Sequence, residues 1–280
     1  MAEAVEKTCY RHPDRVTGLS CTECGRPICT ECMTMAPVGI RCPEHSGKPQ
    51  GVQRMTKGVR RAAFEGTGAK VTKALIGINV AVYVAELLQG GGVYGVNSTI
   101  YEKGFLYAPF VAQGDWWRLM TAAFLHYGPF HLLLNMYGLY WAGSILERAI
   151  GHWRFLLLYL VSGLAGSAGV MIKDALSSGI PSLTLGASGA LFGVLGALFV
   201  LERRGHLATE GQIAALIVIN LVFTFAFARF ISVGGHVGGL IGGVVGMLLM
   251  LTFRGQRALG TASLIAVGVA AVVIAYSVPL

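Results

Sequence analysis

From residue 71 onward the chain is a succession of apolar runs, each about as long as a membrane is thick. A helix crossing the ~30 Å hydrocarbon layer needs roughly 20 apolar residues. Seven runs are read as spans: about 71–88, 129–147, 153–172, 187–202, 210–228, 234–253 and 260–279. Hydrophobic residues make up 54% of the chain and charged residues 13%, where soluble domains carry about 25% charged residues. The expected fold class is an all-α polytopic membrane protein behind a small, polar N-terminal module. The 39 glycines suit close helix packing in lipid. The fourth run is short and begins at Ser188. A helix starting below the membrane surface is tolerated only if the backbone before it lines a cavity or is buried in protein.

The net charge of +8 would fit a nucleic-acid partner if the basic residues formed a face. Instead they cluster at the ends of the apolar runs, so no nucleic acid is expected. Lys and Arg set membrane orientation. The linker from Lys48 to Lys73, with Arg148, Arg154, Arg203, Arg204, Arg254 and Arg257, collects thirteen of them on one side; Lys103, Arg118, Lys173 and Arg229 are the four on the other. The N-terminus is expected in the cytoplasm and the C-terminus outside. Residues 89–118 form an outer loop dense in aromatics, including Tyr94, Phe105, Phe110, Trp116 and Trp117, which suits the membrane interface.

Four segments follow: 1–45, polar and rich in Cys and His; 46–70, a basic linker; 71–255, a six-span core; and 256–280, a seventh span. All six cysteines lie between Cys9 and Cys42, with no secretory signal before them. With His12 and His45 they form four pairs with two-residue gaps: Cys9 and His12, Cys21 and Cys24, Cys29 and Cys32, Cys42 and His45. Eight ligands suffice for two tetrahedral Zn²⁺ ions with no open position, so the metal is expected to be structural. So short a segment has too little core to fold alone, and metal binding supplies the missing free energy. Thiols stay reduced in the cytoplasm, which disfavours disulfides. Sequential and cross-braced pairings both satisfy the spacing. The module resembles a B-box-type zinc finger, and that resemblance implies the cross-brace: Cys9, His12, Cys29 and Cys32 on one ion, Cys21, Cys24, Cys42 and His45 on the other.

Polar side chains inside membrane spans are costly and usually have a function or a partner. Ser188 opens the fourth run in Gly186-Ala187-Ser188-Gly189, and His236 sits in the sixth in Gly234-Gly235-His236-Val237-Gly238-Gly239. A hydroxyl and a base form the minimal unit of nucleophilic catalysis. The serine motif is not the hydrolase elbow, because Ala190 stands where that motif needs glycine. His131 and Asn135, four apart, share a helix face near the outer start of the second run. Together these positions supply a nucleophile, a base and oxyanion donors.

Taken with Trp117-Arg118, His126 and the glycines at 239 and 243, these pieces make residues 71–255 resemble a rhomboid intramembrane serine protease. The last run looks like the seventh helix of the six-plus-one form. The resemblance implies Ser188 as nucleophile and His236 as general base. It makes Asn135, His131 and the Ser188 backbone N–H the oxyanion donors, and His126 a structural and solvent-network residue. Trp117 and Arg118 would hold the outer loop, and Phe192 would stack on His236. Gly239 and Gly243 would bring the sixth helix against the fourth near Gly189 and Gly193. No acidic third member lies at the right depth, so a Ser–His dyad is expected.

The function expected from this reading is a serine endopeptidase that cleaves transmembrane or juxtamembrane segments of other membrane proteins. Its expected surroundings are the lipid bilayer of a bacterial plasma membrane and, if the zinc module recruits or regulates, a cytoplasmic protein partner. Two rivals are a catalytically inactive binding protein of the same fold and a transporter. The transporter would show an internal repeat and paired broken helices.

Overall fold

The computed structural model describes residues 7–35, 39–46, 68–177, 179–207, 209 and 211–278. The linker expected at 46–70 lies almost wholly outside the described residues. The chain divides into two compact units, Met1–Lys57 and Gly58–Leu280.

The first unit is built from two small antiparallel hairpins. β1 (Thr8–Cys9) pairs with β2 (His12–Val16), and β3 (Thr34–Met35) with β4 (Ile40–Arg41). Its interior is largely sulfur: Cys9, Cys21, Cys29, Cys32 and Cys42 are buried around Ile28. So small an apolar core cannot hold a fold without cross-links.

The second unit is helical. α1 spans Lys70–Leu88. The aromatic loop after it contains two short helices, α2 (Thr99–Gly104) and α3 (Ala108–Ala112), then α4 (Arg118–Thr121). α5 (Gly128–Gly138) runs through a π-helical turn at Leu139–Gly143 into α6 (Ser144–Ile150). α7 (His152–Ala175), α8 (Ser188–Arg203), α9 (Gln212–Ala226), α10 (Val233–Thr252) and α11 (Arg257–Ser277) complete the bundle. Each of the seven expected runs is helical. Among the described residues four helices are long and apolar enough to cross a membrane: α1, α7, α10 and α11. The second run is interrupted by the π turn, and α8 and α9 have only 16 and 15 residues.

α8 lies at the centre and is buried along nearly its whole length. α10 approaches it so closely that a Cβ on Gly239 would stand 1.9 Å from the Gly189 carbonyl oxygen, and one on Gly243 1.9 Å from that of Gly193. Glycine on both helices removes the side chains that would separate them, and backbone packing replaces the hydrophobic drive that lipid cannot supply.

Two glutamates, Glu147 buried and Glu202 partly exposed, anchor helix N-termini that lack a side-chain cap of their own. Glu147 on α6 accepts from the Val71 N–H at 2.9 Å and from the Thr72 N–H and hydroxyl at 2.7 and 2.6 Å, and it also meets His152 Nδ1. Glu202, near the end of α8, accepts from Gly211, Ile213 and Ala214 N–H at 3.1–3.3 Å and from the Thr209 hydroxyl. A carboxylate at a helix N-terminus satisfies orphan donors and opposes the helix dipole. These bonds fix the starts of α1 and α9.

Candidate active site

The segment before Ser188 is held by backbone hydrogen bonds. Thr184 and Leu106 exchange N–H···O bonds of 2.9 Å, and the Gly186 N–H donates to the Ala122 carbonyl at 2.8 Å. Further back, Asp174 accepts from the Ser182 N–H and hydroxyl at 2.9 and 2.6 Å. Gly186 has φ +118°, a conformation that favours glycine, and a Cβ there would lie 2.7 Å from His131 Nε2. Ser188 is the first residue of α8, and Ala187 is its N-cap.

His236 Nε2 lies 2.8 Å from Ser188 Oγ. The imidazole stacks on Phe192, one turn along α8, with ring centroids 4.0 Å apart and 20° between planes. One ring face is therefore packed and one edge faces the hydroxyl. The expected glycine contacts at 239 and 243 are what bring the ring there.

His131 and Asn135 lie on α5 and reach the same place. The Asn135 side-chain N–H donates to the His131 carbonyl at 3.0 Å, and its Nδ2 would stand 3.9 Å from a Cβ on Gly186. The Tyr127 N–H donates to His131 Nδ1 at 3.3 Å. An Nδ1 that accepts leaves the proton on Nε2, so His131 presents an N–H toward Gly186. The Ser188 hydroxyl, the His236 ring and the side chains of His131 and Asn135 thus lie around one locus. A cleft beside Ser188 is lined by Gly163, Gly166, Ser167, Val170, Gly186 and Gly189 among others.

The aromatic loop at 89–118 is fastened beside this locus. Arg118 is buried; it donates to the Glu102 and Phe105 carbonyls at 2.8 and 3.0 Å and to Asp115 at 2.8 Å, and stacks on Phe110 and Phe105. Trp117 Nε1 donates to the Lys103 carbonyl at 3.0 Å. His126 is fully buried, 5.1 Å from His131 between ring centroids, and neither ring nitrogen has a hydrogen-bond partner among the described residues.

Sequence reasoning missed one contact. Thr224 on α9 is buried, and its Oγ lies 2.7 Å from His236 Nδ1. A third member of a catalytic triad is ordinarily an acid, and Thr224 is not one. A threonine in an apolar helix reads as one that bonds its own backbone, and Thr224 does that too, donating to the Asn220 carbonyl at 2.7 Å.

In the first unit, Cys9, His12, Cys29 and Cys32 form one cluster and Cys21, Cys24, Cys42 and His45 another, each with its ligand atoms within 4.8 Å of one another. This is the cross-braced grouping. His12 Nδ1 is 3.8, 3.4 and 3.4 Å from the sulfurs of Cys9, Cys29 and Cys32, and Cys24 Sγ is 3.8 Å from Cys42 Sγ. Zinc–sulfur bonds of about 2.3 Å in a tetrahedron place sulfurs about 3.8 Å apart, whereas a disulfide would be about 2.05 Å. Burial pushes the Cys9 thiol up, yet the N–H groups of Cys29 and Arg11 and the His12 ring bring it down to about 6. Cys21, under burial and the N–H groups of Cys42, Cys24 and Glu23, also falls to about 6. Cys32, under burial and beside the Cys9 and Cys29 sulfurs, rises to about 11, and Cys24 is also raised, so a thiol remains in each cluster for a bound cation to deprotonate. Both clusters fit a tetrahedral cation.

The rhomboid domain model matches residues 113–253, half of the chain. Rhomboid protease GluP of Bacillus subtilis (strain 168) is 37% identical over 192 residues, covering 67% of this chain and 36% of that protein. The putative rhomboid protease YdcA of the same organism is 38% identical, covering 44% of this chain and 59% of that protein. Inactive RHOMBOID-like protein 8 of Arabidopsis thaliana is 32% identical, covering 43% and 35%. The chain thus spans between about a third and three fifths of the length of these relatives. The matched segment holds His131, Asn135, Ser188 and His236 and the three helices, α5, α8 and α10, that carry them. The chain is an integral membrane protein of the rhomboid family.

Proposed function

We propose that this protein is an intramembrane serine endopeptidase acting through a Ser188–His236 dyad. The observation that carries the reading is the 2.8 Å separation of Ser188 Oγ from His236 Nε2 at the start of a buried helix. Ser188 Oγ attacks the scissile carbonyl carbon while its proton passes to Nε2. The carbonyl oxygen becomes an oxyanion and takes hydrogen bonds from Asn135 Nδ2, His131 Nε2 and the Ser188 N–H. The C–N bond then breaks, His236 returns its proton to the leaving amine, and an acyl ester remains on Ser188. Water, deprotonated by His236, releases the ester as a carboxylic acid and restores the serine.

The substrates are transmembrane or juxtamembrane segments of other membrane proteins, unwound locally to expose the bond. The cleft lined by glycine and serine beside Ser188 favours a small residue at the scissile bond. The core runs over 71–255, the seventh helix over 256–280 and a basic linker over 46–70. Residues 1–45 form a B-box-like finger holding two structural Zn²⁺ ions. The protein resides in a bacterial plasma membrane, and its Lys and Arg distribution supports a cytoplasmic N-terminus and an outward-facing site.

Cleavage of a model transmembrane substrate by wild type, Ser188→Ala, His236→Ala and the double variant tests the reading. Each single variant is expected to be inactive and the double no worse, because the pair acts as a unit. Labelling of wild type by a fluorophosphonate, lost in Ser188→Ala, separates a protease from an inactive relative. Substantial cleavage by His236→Ala would remove it as the base.

A further inference from the structure

We propose that Thr224 is a positioning residue that sets the tautomer of His236 and so makes it a base toward Ser188. The inference rests on the dyad reading and goes beyond it to a group on a third helix. Two contacts of Thr224 Oγ carry the argument. It lies 2.7 Å from the Asn220 carbonyl oxygen and 2.7 Å from His236 Nδ1. A hydroxyl has one proton to donate, and a carbonyl oxygen can only accept. Were Thr224 to donate to Nδ1, its oxygen would face the Asn220 oxygen with lone pairs on both sides. The arrangement in which both contacts are hydrogen bonds has Thr224 donating to Asn220 and accepting from Nδ1–H. The proton of neutral His236 is then on Nδ1, and Nε2 carries a lone pair. Nε2 is the atom 2.8 Å from Ser188 Oγ, so the serine donates to it.

The polarity is continuous. Ser188 donates to His236, His236 to Thr224, and Thr224 to the backbone of its own helix. Such chains strengthen each member in a water-poor interior. The opposite tautomer would put an N–H against the serine oxygen and leave no acceptor for the serine proton. Thr224 is 1% exposed, so water does not substitute for it without rearrangement. Phe192 fixes the ring plane, and Thr224 fixes which nitrogen is protonated. His131, at the same locus, carries the opposite tautomer because the Tyr127 N–H occupies its Nδ1. One imidazole is thereby set as an acceptor at the nucleophile and the other as a donor at the oxyanion. A neutral oxygen holds a tautomer but stabilises the imidazolium less than a carboxylate does, so the effect should fall short of the ~10⁴-fold seen when a triad aspartate is neutralised.

The test uses the full chain in proteoliposomes with a model transmembrane substrate, reading kcat, KM and the rate of fluorophosphonate labelling. Thr224→Val keeps the shape and removes the hydroxyl; Thr224→Ser keeps the hydroxyl. Thr224→Val is expected to lower kcat and the labelling rate together by about ten- to hundredfold, the range for one buried donor left unpaired, with KM nearly unchanged. Thr224→Ser is expected to restore most of both. If Thr224→Val fails to fold, Thr224→Ala carries the same expectation, since it removes the hydroxyl without placing an apolar carbon against Nδ1. Wild-type kcat in a folded variant without the hydroxyl would overturn the inference. So would a Thr224→Ser variant as impaired as Thr224→Val, which would mark a packing role. Ser188→Ala is run in parallel: if it abolishes cleavage the dyad stands whatever Thr224 shows, and if it still cleaves, the dyad and this inference fall together.

Discussion

Replacing Gly239 by alanine should inactivate the protein while leaving it folded, because the perturbation acts on the spacing that joins the two proposed catalytic groups. The added Cβ would stand 1.9 Å from the Gly189 carbonyl oxygen, 2.7 Å from its carbon and 3.1 Å from Gly189 Cα. All three are backbone atoms of α8, so no rotamer change relieves them. Ordinary contact begins at 3.4 Å, so the helices must part locally by about 1.5 Å. Gly239 is one turn beyond His236, and Gly189 is next to Ser188. The same displacement therefore stretches the 2.8 Å Ser188–His236 contact well past the ~3.2 Å outer range of a hydrogen bond. A misplacement of about 1 Å lowers rates by ~10²-fold, so a loss of at least that size is expected in kcat. Overpacking destabilises by about 1–3 kcal/mol, partly offset by the ~0.5–1 kcal/mol that alanine contributes over glycine in a helix. Gly77→Ala on α1 is the control, since a Cβ there meets nothing within 4 Å. Cleavage of a model substrate in proteoliposomes, alongside thermal unfolding by circular dichroism, reads both effects. A folded Gly239→Ala variant cleaving at the wild-type rate would show that the close approach of α10 to α8 does not set the dyad distance.

Asn135→Ala should lower turnover by up to ~10²–10³-fold if it is a principal oxyanion donor, and less if His131 and the backbone compensate. Unchanged turnover with weaker substrate affinity would instead make Asn135 a binding residue. Metal analysis of protein purified without chelators should find about two zinc ions per chain, and none would refute the assignment. Cys29→Ser should unfold the first unit, read as lost zinc and increased protease sensitivity within residues 7–46, because metal-binding energy there is folding energy. Deleting residues 1–50 should leave cleavage of a model substrate in detergent nearly intact. Complete loss of cleavage in a well-folded truncated protein would show that the first unit supports the active site.

Much of the fold was legible in the sequence because membrane insertion is a length and composition problem. An apolar run of helical length declares itself without knowledge of its neighbours. The same holds for the ligand pairs, since a two-residue gap between Cys and His residues is a local property. Ser188, His236, His131 and Asn135 stood out because polar groups are rare in such runs. What no run discloses is distance. That α10 lies against α8, closely enough for His236 to meet Ser188, depends on glycines facing each other from segments some fifty residues apart. The cross-braced grouping of the eight Cys and His residues, left open by spacing alone, is likewise set by which hairpins fold together. Thr224 and the glutamates at 147 and 202 were invisible for the same reason. Each side chain meets a group on another helix, across some seventy-five residues for Glu147 and about a dozen or fewer for Glu202 and Thr224, and only the packed bundle decides which one it meets.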